Sequence, residues 1–422
     1  MDLLQPVRGT ADLLPEDKAR HNYVVSVAQD VARRSGFQDM ATPVFEFTQV
    51  FSRPLGASSD VVAKETYSFE DRGGTGLTLR PEGTASAMRA VISNGLTQSL
   101  PLRWFYAGPM FRYERPQKGR MRQFHQIGCE LIGPTSPLAD AEIISVGAAI
   151  LSELKVLPHT KLHLNSLGDQ KSRLAYRQAL IDYLTQYRSS LSEDSQRRLD
   201  SNPLRILDSK SETDQAILIE APRLPSYLSN EAKAHFDQVS ACLNKAAIEF
   251  VLDPLLVRGL DYYSHTAFEF ITNALGAQGT VLGGGRYDGL SETLGGPPLP
   301  AVGFAAGIER LALLGDDHAS AMPDIGLIAA DIDAETEAFG LAVSLRRAGL
   351  SCVMLISGNM GKKMRAASRL GCASVVIAGS DELRRGAVSV RSMVDGEQFE
   401  VEISKLTTWL SERLSGTSQG SD

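Results

Sequence analysis

The sequence is poor in the residues that staple small or secreted proteins. Four cysteines, Cys129, Cys242, Cys352 and Cys372, are scattered through 422 residues, and none belongs to a CxxC pair. That spacing argues against a disulfide framework, a zinc ribbon or a dithiol redox centre, and the four read as buried free thiols. No apolar run approaches the roughly 20 residues that cross a bilayer. The opening MDLLQPVRGTADLLPED has no charged-then-apolar signal pattern, so the chain reads as cytoplasmic with no membrane partner. No GxGxxG opens a helix, no GKS or GKT closes a glycine loop, and neither HExxH nor GxSxG occurs. The usual dinucleotide, P-loop, zincin and serine-hydrolase signatures are thereby excluded. What remains is ordinary for a globular protein: 43% hydrophobic and 22% charged residues, enough for two or three domains and an unstapled core. The net charge of −7 speaks against wholesale coating of nucleic acid but leaves room for a local basic groove.

Periodicity and punctuation divide the chain. Pro15-Glu16-Asp17 opens a helix that stops at Gly36. Phe37–Phe45 is extended, and its Pro43 belongs at an edge or interface because it cannot donate to a ladder. Asp71-Arg72-Gly73-Gly74 turns a hairpin within Ser68–Leu79. A helix is expected over Glu82–Val91, strands over Trp104–Phe111 and Gln123–Ile132, and a strongly amphipathic helix over Ala139–Leu154. Residues 169–247, rich in Gln, Ser, Asp, Arg and Ala, read as a helical insertion. Strands return at Phe250–Val257, Ala267–Ile271, Thr280–Leu282 and Ala301–Phe304, with a helix through Arg310. After a linker of small residues up to Pro323, the strands Ile325–Ala329, Cys352–Ile356 and Ser374–Ile377 alternate with helical patterns, as in a mixed α/β domain. The reading is therefore residues 1–322 as a core interrupted by 169–247, residues 323–415 as a second domain, and 416–422 as a disordered tail.

Three arginines stand in informative company. Arg112 opens Phe111–Arg122, which holds five basic residues and one acidic one. Such a loop either grips a polyanion or is a solvated hairpin. Arg258 follows an apolar strand, with Asp261 as a possible partner, and Arg310 lies on an otherwise apolar helix beside Glu309. Gly283-Gly284-Gly285-Arg286-Tyr287-Asp288 reads as a flexible turn where backbone approaches a ligand. Three arginines from separate elements suit a triphosphate. With no nucleophile beside a base, displacement at phosphorus driven by positioning and charge fits best.

Over nearly its whole length the chain resembles the class II aminoacyl-tRNA synthetases, and among them the bacterial histidyl-tRNA synthetases. Gly36–Pro43 is similar to motif 1, Phe111-Arg112-Tyr113-Glu114 to motif 2 and Gly307-Ile308-Glu309-Arg310 to motif 3. Leu256–Tyr263 and Gly283–Asp288 are specific to the histidine enzymes, and Leu79–Thr84 and Leu204–Asp208 add to the likeness. The resemblance implies an α+β fold: an antiparallel-sheet catalytic core with a helical insertion, plus a mixed-sheet α/β anticodon-binding domain at the C-terminus. It implies activation of L-histidine by ATP with Mg2+, no prosthetic group, transfer to tRNA(His), and a homodimer with Pro43 at its interface.

Site roles follow from the same resemblance. Arg112, Arg258 and Arg310 would be the catalytic arginines, on the α-phosphate, on the histidine carboxylate and α-phosphate, and on the γ-phosphate. Glu114 and Phe124 would hold adenine, and Glu82, Thr84 and Gln126 the α-ammonium. Glu130 and Tyr263 would address the imidazole, with Tyr262 and Tyr287 lining its pocket. Arg115, Gln117 and Arg122 would read the extra 5′ guanosine of tRNA(His). The resemblance names no metal ligands. In the C-terminal domain, Ala338–Ser380 carries six basic residues and no acidic one, a face suited to RNA or to solvent. A histidine-binding regulatory paralogue of the same family is the principal alternative. The retained arginines, basic loop and C-terminal domain speak against it.

Overall fold

The computed structural model describes residues 3–55, 65–115, 120–201, 203–256, 262–275, 279–315 and 322–417. It divides into two compact units, residues 1–319 and 320–422.

The first unit opens with α1 (Pro15–Arg34), which has proline in its first turn, Glu16 and Asp17 at the positive end of its dipole and Arg33 and Arg34 at the other. Gly36, at φ +79°, ends it. Then come β1 (Gln38–Asp39), β2 (Phe45–Phe47), α2 (Gln49–Leu55), β3 (Tyr67–Glu70), β4 (Gly76–Leu79) and α3 (Thr84–Ser93). The β3–β4 turn is held by Asp71, whose carboxylate accepts from the Gly73 and Thr75 N–H groups at 2.8 Å. Strands β5 (Leu102–Phe111) and β6 (Gln123–Ile132) and helix α4 (Pro137–Glu153) form the centre. They are followed by β7 (Lys161–Ser166), α5 (Gln170–Thr185), α6 (Glu193–Ser201), α7 (Glu212–Leu218), α8 (Asn230–Lys245), β8 (Phe250–Leu252), β9 (Ser264–Ile271), β10 (Thr280–Arg286), α9 (Leu290–Thr293), β11 (Ala301–Gly307) and α10 (Ile308–Leu314).

Eight strands make one sheet in the order β1-β5-β6-β11-β10-β9-β7-β8. The five inner pairings are antiparallel, and only the edge pairs β1–β5 and β7–β8 are parallel. Strands β2, β4 and β3 form a separate antiparallel sheet. Helices α5–α7 enclose a core of their own around Leu180, Leu184, Ile206 and Leu218, whereas Val239 and Leu243 of α8 pack into the main core beside α4. Among the described residues no helix is long and apolar enough to cross a membrane.

The second unit contains β12 (Ile325–Ala329), α11 (Glu335–Arg347), β13 (Cys352–Met354), α12 (Met360–Arg369), β14 (Ser374–Ala378), α13 (Ser380–Arg384), β15 (Ala387–Ser392), β16 (Gln398–Glu402) and α14 (Leu406–Thr417). Its sheet, β13-β12-β14-β15-β16, is parallel through β14 and antiparallel beyond.

Several expectations need correction. Gly283–Gly285 is not a turn but the buried middle of β10. A Cβ at Gly284 would lie 2.1 Å from the Gly303 carbonyl oxygen, and one at Gly285 2.5 Å from that of Thr266. Gly284 and Gly285 therefore let strands close up, while Gly283 lines a bay in the sheet's face. Helix α4 is not amphipathic: ten of its residues are buried, Asp140 among them, because it runs through the core. Strand β8 stops at Leu252, and Val257 lies outside the described residues. Cys242 is only half-buried, unlike the other three cysteines. The helix at the C-terminus runs through Thr417, past the expected start of the tail, and residues 418–422 lie outside the described residues.

Candidate active site

The floor of the site is built where α3 meets the sheet. Gly83 precedes α3 and offers it no side-chain cap. The Glu82 carboxylate does so instead, accepting the Thr84 and Ala85 N–H groups at 2.5 and 2.9 Å. An anion at a helix N-terminus is favoured by both the free N–H groups and the dipole. Burial nevertheless pushes the Glu82 carboxyl upward, against those bonds and the nearby Arg112. Glu130 on β6 is wholly buried, and the hydroxyls of Thr84 (2.7 Å), Tyr106 (3.2 Å) and Tyr287 converge on it. Burial raises its pKa to about 8, against the hydroxyls of Tyr287 and Thr84 and with a smaller push from Glu82. Two acids buried close together favour a cationic ligand group.

Glycines make the room. A Cβ at Gly83 or Gly128 would lie 2.4 or 2.3 Å from the Tyr106 ring, and one at Gly303 would lie 1.7 Å from Glu130 Oε2. Gly303 and Glu130 face each other across the β11–β6 ladder.

Above this floor opens a bay of about 380 Å³. Its other end is cationic. Arg112 donates Nε–H to the Pro81 carbonyl at 2.9 Å and lies 5.2 Å over the Phe124 ring. Arg120 pairs with Glu114. Arg310 donates to the Thr280 carbonyl at 2.5 Å. Burial lowers the Arg310 pKa first, and the charges of Arg120 and Arg112 lower it further. Cations held together in this way suit an incoming polyanion. Between the two ends, Gln126 Oε1 and the Tyr262 hydroxyl are buried with no partner, and both residues line the bay. Orphaned polar atoms facing a cavity mark where a ligand's polar groups belong.

Nine of the expected residues line the bay: Glu82, Thr84, Arg112, Glu114, Phe124, Gln126, Tyr262, Tyr263 and Arg310. Glu130 lies one hydrogen bond behind it and Tyr287 one further. Arg258 and Gln117 lie outside the described residues. Arg115 is exposed. Arg122 braces the loop, 4.0 Å over the Tyr113 ring and donating to the Arg8 and Glu114 carbonyls at 3.4 and 3.3 Å. Pro43 is exposed just before β2.

Sequence reading missed Tyr106, Arg120, the Thr280–Glu269 hydrogen bond of 2.6 Å and Glu309. Glu309 accepts the His125 backbone N–H at 2.9 and 3.0 Å, and its Oε1 lies 2.8 Å from His125 Nδ1. Its adjacency to Arg310 was the one signal that could have drawn attention to it. His21 packs edge-on against His125, and burial lowers its pKa to about 4.

An antiparallel sheet with buried acids at the floor of its bay and cations at the rim, one arginine just past the end of β5 and another on the helix that follows β11, is the arrangement of a class II aminoacyl-tRNA synthetase core. The family model of histidyl-tRNA synthetase matches residues 9–311, and that of the anticodon binding domain residues 324–413. A histidine–tRNA ligase of Rhodospirillum rubrum is 52% identical over 415 residues, covering 98% of this chain and 100% of that protein. The crystal structure of the apo histidyl-tRNA synthetase of Staphylococcus aureus superposes with a TM-score of 0.82 at 34% identity, over 96% of this chain and 99% of that one. An ATP phosphoribosyltransferase regulatory subunit/histidyl-tRNA synthetase from Bacillus halodurans shares the fold, with a TM-score of 0.65 at 23% identity over 90% of this chain and 99% of that one. The chain belongs to the histidyl-tRNA synthetase family.

Proposed function

We propose that the protein is a histidine–tRNA ligase that makes histidyl-adenylate from L-histidine and magnesium-ATP and passes the histidine to tRNA(His). The observation that carries this is the two-ended bay. Glu82, Thr84 and the orphaned Gln126 oxygen hold the α-ammonium, and Glu130, Tyr263 and the Tyr262 hydroxyl address the imidazole. A site that bonds both ring nitrogens rejects apolar amino acids because its own polar groups would be stranded. Glu130, with a pKa raised to about 8, sits behind the Thr84 hydroxyl and can hold or release a proton near neutral pH as the charge of the bound ring requires.

Arg112 holds the α-phosphate, Arg310 the γ-phosphate, and Glu114 and Phe124 the adenine. One carboxylate oxygen of histidine bonds to the α-phosphorus, the bond from that phosphorus to the α–β bridging oxygen breaks, and pyrophosphate leaves. Fixed guanidinium groups stabilise the charge that gathers on the phosphate oxygens. Arg258 is assigned to the carboxylate by family resemblance. The terminal ribose hydroxyl of tRNA then attacks the activated carbonyl carbon, and AMP and a proton depart.

The anticodon is assigned to residues 323–415, whose helix α12 carries Lys362, Lys363, Arg365 and Arg369. The insertion α5–α8 is assigned to the acceptor arm, and Arg115 and Gln117 to the 5′ guanosine, with Arg122 orienting their loop. A homodimer through the β2-β4-β3 sheet is supported by its exposed Phe45, Phe47 and Phe69 near Pro43. A cytoplasmic location completes the reading. Incubated with ATP, radiolabelled histidine and tRNA(His), the purified chain should form histidyl-tRNA. Histidine binding by calorimetry without any charging would point to a regulatory subunit instead.

A further inference from the structure

We infer that His21, His125 and Glu309 form a binding site for a divalent cation of the zinc class, where α1, β6 and α10 meet behind the bay. One ligand atom from each residue lies within 4.8 Å of the others. His21 is only 4% exposed, and neither of its ring nitrogens has a hydrogen-bond partner. A buried imidazole with both nitrogens idle is costly unless something else takes a lone pair.

The other two members are already held in place. Both Glu309 oxygens accept the His125 backbone N–H, at 2.9 and 3.0 Å. Such a bond to a ligating carboxylate is the kind of outer support that metal sites use. The rings of His21 and His125 meet edge to face at 4.5 Å between centroids, with 84° between their planes, so their nitrogens are brought to one locus from different directions.

The donor set selects the ion. Two imidazoles and one carboxylate suit zinc and its borderline neighbours. The absence of thiolate disfavours copper(I), and the nitrogen donors disfavour calcium and magnesium. Three protein ligands leave a fourth position for water, and Glu309, a quarter exposed and lining the bay, gives water an approach. Tetrahedral ligands around zinc stand about 3.3 Å apart, so the His125–Glu309 pair, now at 2.8 Å, opens slightly on binding, and the widest separation, at most 4.8 Å, closes. Binding takes the His125 tautomer whose proton sits on Nε2, so the 2.8 Å contact between His125 Nδ1 and Glu309 Oε1 is exchanged for two bonds to the metal. Because Glu309 precedes Arg310 on the first turn of α10, an occupied site braces the segment that carries that arginine.

The test uses the full-length protein, stripped with chelator and titrated with cobalt(II) alone. It should take up one equivalent per chain, develop the visible absorption of a tetrahedral nitrogen–oxygen site, and melt at a higher temperature. His21→Phe should abolish all three while keeping the circular dichroism of the wild type. If His21→Phe does not fold, His21→Leu should give the same losses. The inference is overturned if the wild type takes up cobalt only at millimolar concentration, or if a folded His21 variant still takes up its equivalent, since the metal would then sit at other histidines.

Discussion

Burial of Glu130 places its titration within the working pH range. Its folded pKa of about 8 exceeds the ordinary 4.5, so the folded state keeps a proton that the unfolded chain releases. By linkage, that contribution is present below pH 4.5 and is lost progressively as pH rises to about 8. Glu130→Gln cannot lose a proton. Its melting temperature relative to wild type should therefore climb between pH 5 and pH 8, whereas parallel curves would mean that Glu130 titrates normally. The same variant should raise KM for histidine, since it cannot become the anion that an imidazolium prefers. Gly303→Ala tests the floor differently. Its Cβ would also lie 2.6 Å from the Cys129 carbonyl oxygen, and backbone cannot step aside, so denaturant unfolding should show a loss of about 1–3 kcal/mol or more. Arg310 was legible because a charge on an apolar helix requires a reason, Arg112 because it opens a concentrated basic loop, and Glu114 only through the family resemblance. Tyr106 was not, because its place depends on missing side chains at Gly83 and Gly128, far away in the sequence.

At the scale of elements, the β10–α4 contact teaches most. Arg286 is 1% exposed and donates to both oxygens of the buried Asp140, to the Pro134 and Ser136 carbonyls and to Asp288. The glycine run that looked like a ligand-approach turn instead brings β9, β10 and β11 close enough to pack this helix against the sheet. Asp140→Ala would strand a buried guanidinium and should cost about 3–5 kcal/mol in denaturant unfolding. A loss below about 1 kcal/mol would mean the pair is not what joins them. The ten-residue strands β5 and β6 were readable from β-rich runs flanking a basic loop. The β15–β16 hairpin was not picked out, because short polar-edged strands carry little period-two signal. Helix α4 showed its existence but not its environment: an apolar helix reads alike whether one face or nearly all of it is buried.

For the whole molecule, charge is distributed rather than summed. A chain of net −7 concentrates positive residues in Arg112–Arg122 and in Ala338–Ser380, where the proposed function puts RNA, and an acidic remainder limits non-specific binding. The chain divides into its two compact units between residues 319 and 320. Residues 1–319 alone should keep histidine-dependent exchange and lose most tRNA charging, and loss of both activities would show that the second unit also supports the catalytic fold. The central claim is that the bay activates histidine, and its most direct test is pyrophosphate exchange into ATP with each of the twenty amino acids in turn. Exchange should occur with L-histidine alone and fall about 100-fold or more in Arg112→Ala and Arg310→Ala. Exchange with another amino acid, or none with histidine from a folded protein, would contradict it.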